Sequence, residues 1–168
     1  DSPGMTRSIP IEKIKDDCII AWAMNGEALR PEQGYPIRLV VPGWEGNMWV
    51  KWLRRIEFGD KPYMTREETS KYTDLLSDGK ARMFTWVMDA KSVITSPCPE
   101  KPVLQKGIHQ IRGLAWSGRG KIKRVDVSLD GGKNWKTAQL HSPVLEKSLT
   151  RFTIPFEWNG EELSLIHI

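Results

Sequence analysis

Cationic side chains crowd one stretch of the chain: Arg38 lies on an apolar run, and Lys51, Arg54 and Arg55 follow a loop that reads Pro42-Gly-Trp-Glu-Gly-Asn47. Forked guanidinium groups and a compact ammonium suit phosphate, and small loop residues let backbone amides approach an anion. The chemistry this pattern points to is the holding of a phosphate-bearing cofactor, against the plainer reading of solvated, strand-borne side chains. Other chemistries find less support. His109, His141 and His167 form no triad with a nucleophile, and the first two fall in or beside strand-like segments as structural or solvated groups. Cys18 and Cys98 lie far apart with no CxxC or Cys/His spacing, so no zinc site is expected and each reads as a small buried hydrophobe. There is no P-loop and no GxGxxG, and Gly118-Arg-Gly120 reads as a turn.

The elements that must position these residues begin with a brief helix from Pro10, where proline suits the first turn. Cys18 to Met24 is apolar on both faces and stops at Asn25-Gly26, the pattern of a buried strand closed by a turn. Tyr35 to Val41 is a second apolar run. Trp49 to Phe58 alternates as a strand would, with Val50, Trp52, Arg54 and Ile56 on one side. Residues 59 to 92 differ in kind, a connecting excursion in which Thr65-Arg-Glu-Glu68 has capping-box spacing and predicts a short helix.

From Val93 the period is two, predicting strands near 93–96, 107–116, 122–129, 134–140 and 149–158. Val125, Val127 and Leu129 separate from Arg124, Asp126 and Ser128, and Asp130-Gly-Gly132 closes a hairpin onto Trp135. Strands so spaced predict an immunoglobulin-like sandwich, which normally takes about 100 residues. Fewer are present, so the chain is expected to end inside that domain.

The 168 residues are 39% hydrophobic and 27% charged, which fits one or two globular domains and excludes fibrous and disordered classes. With 25 Lys plus Arg against 21 Asp plus Glu, the net charge of +4 is too small and scattered to predict a nucleic-acid surface. No apolar run reaches the roughly 18 residues of a spanning helix, so no membrane insertion is expected. The first ten residues lack the layout of a signal peptide. Eight Trp need pockets or an interface to cover them.

The stretch from Asn25 to Glu57, with Pro-Ile-Arg-Leu-Val-Val-Pro-Gly-Trp at its centre and Trp-Val-Lys-Trp-Leu-Arg-Arg after it, resembles the sulfite oxidase family of molybdopterin enzymes. Lys91-Ser-Val-Ile-Thr-Ser-Pro97, Gly113-Leu-Ala-Trp-Ser-Gly118 and Ile122 to Trp135 resemble that family's dimerisation domain. Tyr63 to Asp74 and Cys98-Pro-Glu-Lys-Pro102 are most similar to the family's bacterial branch that oxidises sulfane sulfur in thiosulfate metabolism.

The resemblance implies a mixed α+β remnant of the molybdopterin domain over 1–57, the excursion over 58–92, and a truncated all-β immunoglobulin-like dimerisation domain over 93–168. It matches Arg38, Lys51, Val50, Trp49 and Gln33 to cofactor-binding positions; Gln33 stands where vertebrate relatives have His, and an amide still donates a hydrogen bond. Lys71 and Tyr72 become candidates to line a substrate funnel. Arg54 and Arg55 are left as structural or interfacial. The implied cofactor is molybdenum-molybdopterin, with haem only on a partner subunit, and the molybdenum-ligating thiolate is expected upstream because neither cysteine stands in its context. The implied activity is oxidation of protein-bound sulfane sulfur in the periplasm, with electrons passed to a c-type cytochrome subunit. The implied partners are a second copy of the chain through the sandwich and a sulfur-carrier protein or sulfur oxyanion. This chain alone is then expected to be inactive. A sulfite dehydrogenase of the same family is one alternative, and a non-catalytic β-sandwich interaction module is another, which residues 25 to 57 argue against. Leu163 to Ile168 does not resemble the expected continuation and reads as a doubtful tail.

Overall fold

The structure is a computed structural model that describes residues 4–103, 105–160 and 166–167. The chain separates into two compact units, residues 1–87 and 88–168.

In the first unit, α1 (Ile11–Asp17) starts after Pro10, and Lys13 pairs with Asp17 one turn on. The apolar run that follows is broken by a bend at Trp22 into β1 (Ile19–Ala21) and β2 (Ala23–Met24). Asn25 and Gly26, both at positive φ (53° and 83°), turn β2 into an antiparallel pairing with β3 (Glu27–Ala28). β1 pairs antiparallel with β4 (Arg38–Val40), Ile20 opposite Leu39. The predicted strand from Trp49 to Phe58 does not form. Leu39 N donates to Val50 O (2.8 Å) and Leu53 N to Ile37 O (3.0 Å), but between them Trp52 takes φ 52°, which breaks the pleat. A small core of Val41, Trp44 and Met48 gathers Leu39, Trp49 and Trp86 around it, and Trp44 stacks on Trp86 with ring centres 4.9 Å apart and planes 7° from parallel. The predicted helix at Thr65 is a single π turn, Glu67–Lys71, after which β5 (Asp74–Leu75) pairs with β6 (Ala81–Arg82).

The second unit is the sandwich. One sheet runs β11 (Gln139–Leu140), β12 (Thr150–Trp158), β8 (Gly107–Trp116), β7 (Lys91–Ser96), all antiparallel; the other runs β10 (Lys136–Thr137), β9 (Asp126–Ser128), β13 (Ile166–His167). Phe152, Ile154 and Phe156 of β12, Ile111 and Ala115 of β8, and Val125, Val127 and Ala138 fill the interior. Period two therefore holds where both faces are made. It fails at Ser128, fully buried beside Val127, because its hydroxyl donates to Asp130 Oδ1 (2.8 Å) and accepts from Gly132 N (2.8 Å), organising the turn from within. The segment 122–125 is not strand, and the 134–140 strand is split into β10 and β11. Trp135 is exposed, while Trp158 packs partly against the core. The doubtful tail lies mostly outside the described residues, but its Ile166 and His167 pair antiparallel with Ser128 and Val127. No helix among the described residues is long and apolar enough to cross a membrane.

Candidate functional site

Two of the residues matched to cofactor positions, Gln33 and Trp49, meet a third, Arg38, directly. Its Nη1 donates to the carbonyl of Gln33 (3.0 Å), its Nη2 to the carbonyl of Trp49 (3.3 Å), and its guanidinium lies 5.7 Å from the Trp49 ring centre. The remaining donor, Nε, is buried and has no hydrogen-bond partner. Lys51 closes the other side: its Nζ donates to Glu32 O (2.8 Å) and sits 5.0 Å over the Trp52 ring. Lys51 packs against Gly34, whose φ of +108° caps the 3-10 turn Pro31–Gln33 and keeps that turn within reach. Val50 contributes backbone, its carbonyl accepting from Leu39 N. Gln33 spends its side-chain oxygen on Arg30 N (3.0 Å), so of its polar atoms the amide nitrogen remains for a ligand.

The arrangement is a cationic cradle with a spare buried N–H on Arg38 and two further donors on an exposed Lys51. A fully paired, solvated arginine would not leave a donor orphaned. An anionic, phosphate-bearing group satisfies such donors, so the residues fit the terminal phosphate of a pterin cofactor. Arg54 and Arg55 stay outside the cradle, exposed, Arg55 paired with Glu57.

Lys71 and Tyr72 stand elsewhere. Lys71 is exposed at the end of the π turn and Tyr72 is half-buried under the guanidinium of Arg7, whose Cζ is 4.0 Å from the ring centre. Arg7 also pairs with Glu68 (3.5 Å) and donates from Nε to Asn47 O (3.0 Å). Asn47 belongs to the turn Gly46–Met48 that leads into Trp49. Arg7 carries no sequence signal, and Glu68, read from its spacing as a capping-box carboxylate, instead accepts from Ser8 N and faces Arg7. Cys18 packs against the Trp44 core, and Cys98 sits in a turn bridged to Lys101. Among the described residues no three His, Cys, Asp or Glu are grouped to hold a metal ion.

Residues 1–67 match the oxidoreductase molybdopterin binding domain and residues 82–159 the Mo-co oxidoreductase dimerisation domain. The chain belongs to the sulfite oxidase family of molybdopterin oxidoreductases. It is similar to the solved sulfane dehydrogenase SoxCD of Paracoccus pantotrophus, with 62% identity and a TM-score of 0.90 over 96% of this chain and 42% of that one. It is also 33% identical to sulfite oxidase of Gallus gallus over 89% of this chain and 35% of that protein. To the NADPH nitrate reductase of Mycosarcoma maydis it is 35% identical over 74% of this chain and 15% of that protein. The chain thus spans less than half the length of each of these relatives.

Proposed function

We propose that this chain is part of a molybdenum oxidoreductase that oxidises reduced sulfur, acting on sulfane sulfur held on a carrier protein. The observation that carries the reading is the 62% identity with a sulfane dehydrogenase across both units, joined to the Arg38 cradle with its unpartnered Nε. The cofactor is molybdenum-molybdopterin; when bound it supplies the two-electron oxidation, with water as the source of oxygen, and the protein supplies orientation and electrostatics. Arg38 and Lys51 hold the pterin phosphate, with Gln33 donating from its amide and the Trp49–Val50 backbone lining the approach. Lys71 and Tyr72 line the funnel to the reacting sulfur, Lys71 as an exposed cation that favours an anionic terminus.

The electrons leave singly to a c-type cytochrome subunit that carries the only haem, the sandwich joins two copies of the chain, and the complex works in the periplasm. The metal's thiolate comes from outside these residues, since Cys18 is committed to packing and Cys98 to a turn. The 168-residue chain alone is therefore inactive. A second reading, oxidation of free sulfite, is favoured by the likeness to the Gallus gallus enzyme.

The test is to purify the intact gene product with its cytochrome partner, assay molybdenum and pterin, and follow cytochrome reduction. Reduction driven by a sulfane-loaded carrier protein and not by free sulfite supports the first reading. The reverse selects the second, and absence of both molybdenum and pterin overturns both.

A further inference from the structure

The side chains of Arg7 and Glu68 are each only 1% exposed, and the pair meets at 3.5 Å without a hydrogen bond between them. Both terminal nitrogens of Arg7 are buried with no hydrogen-bond partner, an expensive condition for a cation. Burial alone does not account for it, because apolar residues of similar volume would fill the space at lower cost. What the guanidinium does make are three directed contacts, to Glu68, to the Asn47 carbonyl and to the face of Tyr72.

These contacts join two parts of the first unit. Glu68 and Tyr72 belong to the π turn and its exit, where Tyr72 N closes the wide turn on Glu67 O at 3.2 Å. Single π turns are frequent at functional sites. Here the turn presents a carboxylate and, four residues later, an aromatic face to one planar cation. The segment around Arg7 is itself pinned to the excursion: Ser8 N donates to Glu68 Oε1 (3.1 Å), Tyr63 N to Ser8 Oγ (2.9 Å) and Thr65 Oγ1 to Thr6 O (3.5 Å). On the far side, Asn47 lies in the turn that delivers Trp49 to Lys51 to the cradle. Arg7 thus ties the Tyr72 ring to the backbone that carries the cofactor-binding residues.

We propose that Arg7 is the positioning residue for Tyr72, a strut that sets where the funnel-lining ring stands relative to the cofactor cradle. The proposal rests on the reading of Tyr72 as a funnel residue. A planar guanidinium can lie on a ring and reach a carbonyl and a carboxylate in fixed directions at once, which a lysine ammonium cannot do. Arg7→Lys keeps the charge and loses the strut. Arg7→Met with Glu68→Met removes both charges at similar volume, so that a folded variant without the strut exists even if single truncations unfold.

Hydrogen exchange on the full chain reads the strut directly. Both variants are expected to exchange amides of residues 67–72 at least tenfold faster, with residues 107–116 unchanged; unchanged exchange at 67–72 overturns the strut. The intact holoenzyme then reads the positioning role. Arg7→Lys is expected to lower kcat/KM for the sulfur substrate at least tenfold with molybdopterin content unchanged, and to cause no further loss in a Tyr72→Ala background. A loss of the same size in that background overturns the proposal, since Arg7 would then act through something other than Tyr72. If Tyr72→Ala itself leaves kcat/KM untouched, the funnel reading of Tyr72 fails and the positioning role with it, while the exchange result still decides whether the strut exists.

Discussion

Gly34 and Lys51 are packed so closely that a Cβ at position 34 would stand 2.9 Å from Lys51 Cβ and 3.1 Å from its Cα. Position 34 also has φ +108°, which L side chains rarely adopt. Gly34→Ala is therefore expected to destabilise the first unit by about 1–3 kcal/mol from backbone strain alone. It should also push Lys51 off the cradle. Chemical denaturation followed by Trp fluorescence reports the first effect, and pterin content of the intact protein reports the second.

Arg38 and Lys51 should separate by what their loss disturbs. Arg38→Ala leaves the carbonyls of Gln33 and Trp49 without their donors, at a cost of about 1–3 kcal/mol for each one left buried and unpaired. Lys51→Ala changes an exposed side chain, and stability should move by no more than about 0.5 kcal/mol. Both variants of the intact protein are expected to lose bound pterin. Equal stability losses would contradict the difference in their packing, and pterin retained in both would remove these residues from the cofactor site.

In the sandwich, β8 and β12 meet at Gly113, opposite Phe152. A Cβ there would overlap the Phe152 ring and come within 2.5 Å of Val93 O. Backbone on one side and a fully buried ring on the other leave nothing soft to move. Gly113→Ala is expected to cost at least the 1–3 kcal/mol typical of overpacking and to broaden the spectra of the β7, β8 and β12 amides. An unchanged melting temperature of the second unit would mean that Phe152 can swing away.

Asp130 gives a pH dependence with a definite sign. Hydrogen bonds from the Asn134 backbone and side chain, then from Ser128, favour its carboxylate and hold its pKa at about 2 against an ordinary 3.8. A group depressed in the folded state contributes stability that is complete above its unfolded pKa and disappears as pH falls through the folded one. The stability gap between the wild type and Asp130→Ala should thus be constant from neutral pH down to about 4.5 and close as pH falls toward 2. Urea titrations at a series of pH values check this; a gap that widens on acidification contradicts the sign.

Sequence pattern and structure agree best where a segment has two distinct faces. The strands around Gly107 to Trp116 and Thr150 to Trp158 were legible because one face of each is core and the period survives the whole length. Trp49 to Phe58 alternates as well, yet its alternation is never used, because Trp52 in the left-handed region lets only Val50 and Leu53 bond to the strand beside it. A single backbone torsion of a bulky residue is invisible to side-chain periodicity. In the cradle, Arg38 and Lys51 were legible as phosphate-like donors, but from residue types alone solvated side chains were the plainer reading; that the Gln33 and Trp49 carbonyls take two of Arg38's three donor nitrogens depends on how the loop folds back, which side-chain spacing does not carry. Arg7 and Glu68 could not be paired from the sequence, since their contact depends on a chain crossing and on a π turn.

The three-residue turn Gly46–Met48 touches two neighbourhoods at once: Asn47 O receives Nε of Arg7, whose guanidinium lies over Tyr72, and the next residue out, Trp49, begins the cradle. A shift of that short backbone segment would therefore be felt by the cradle and by the support of Tyr72 together. On the proposed reading of the funnel, exchanging an exposed side chain at the end of the π turn, such as Lys71, changes what is accepted without moving either support.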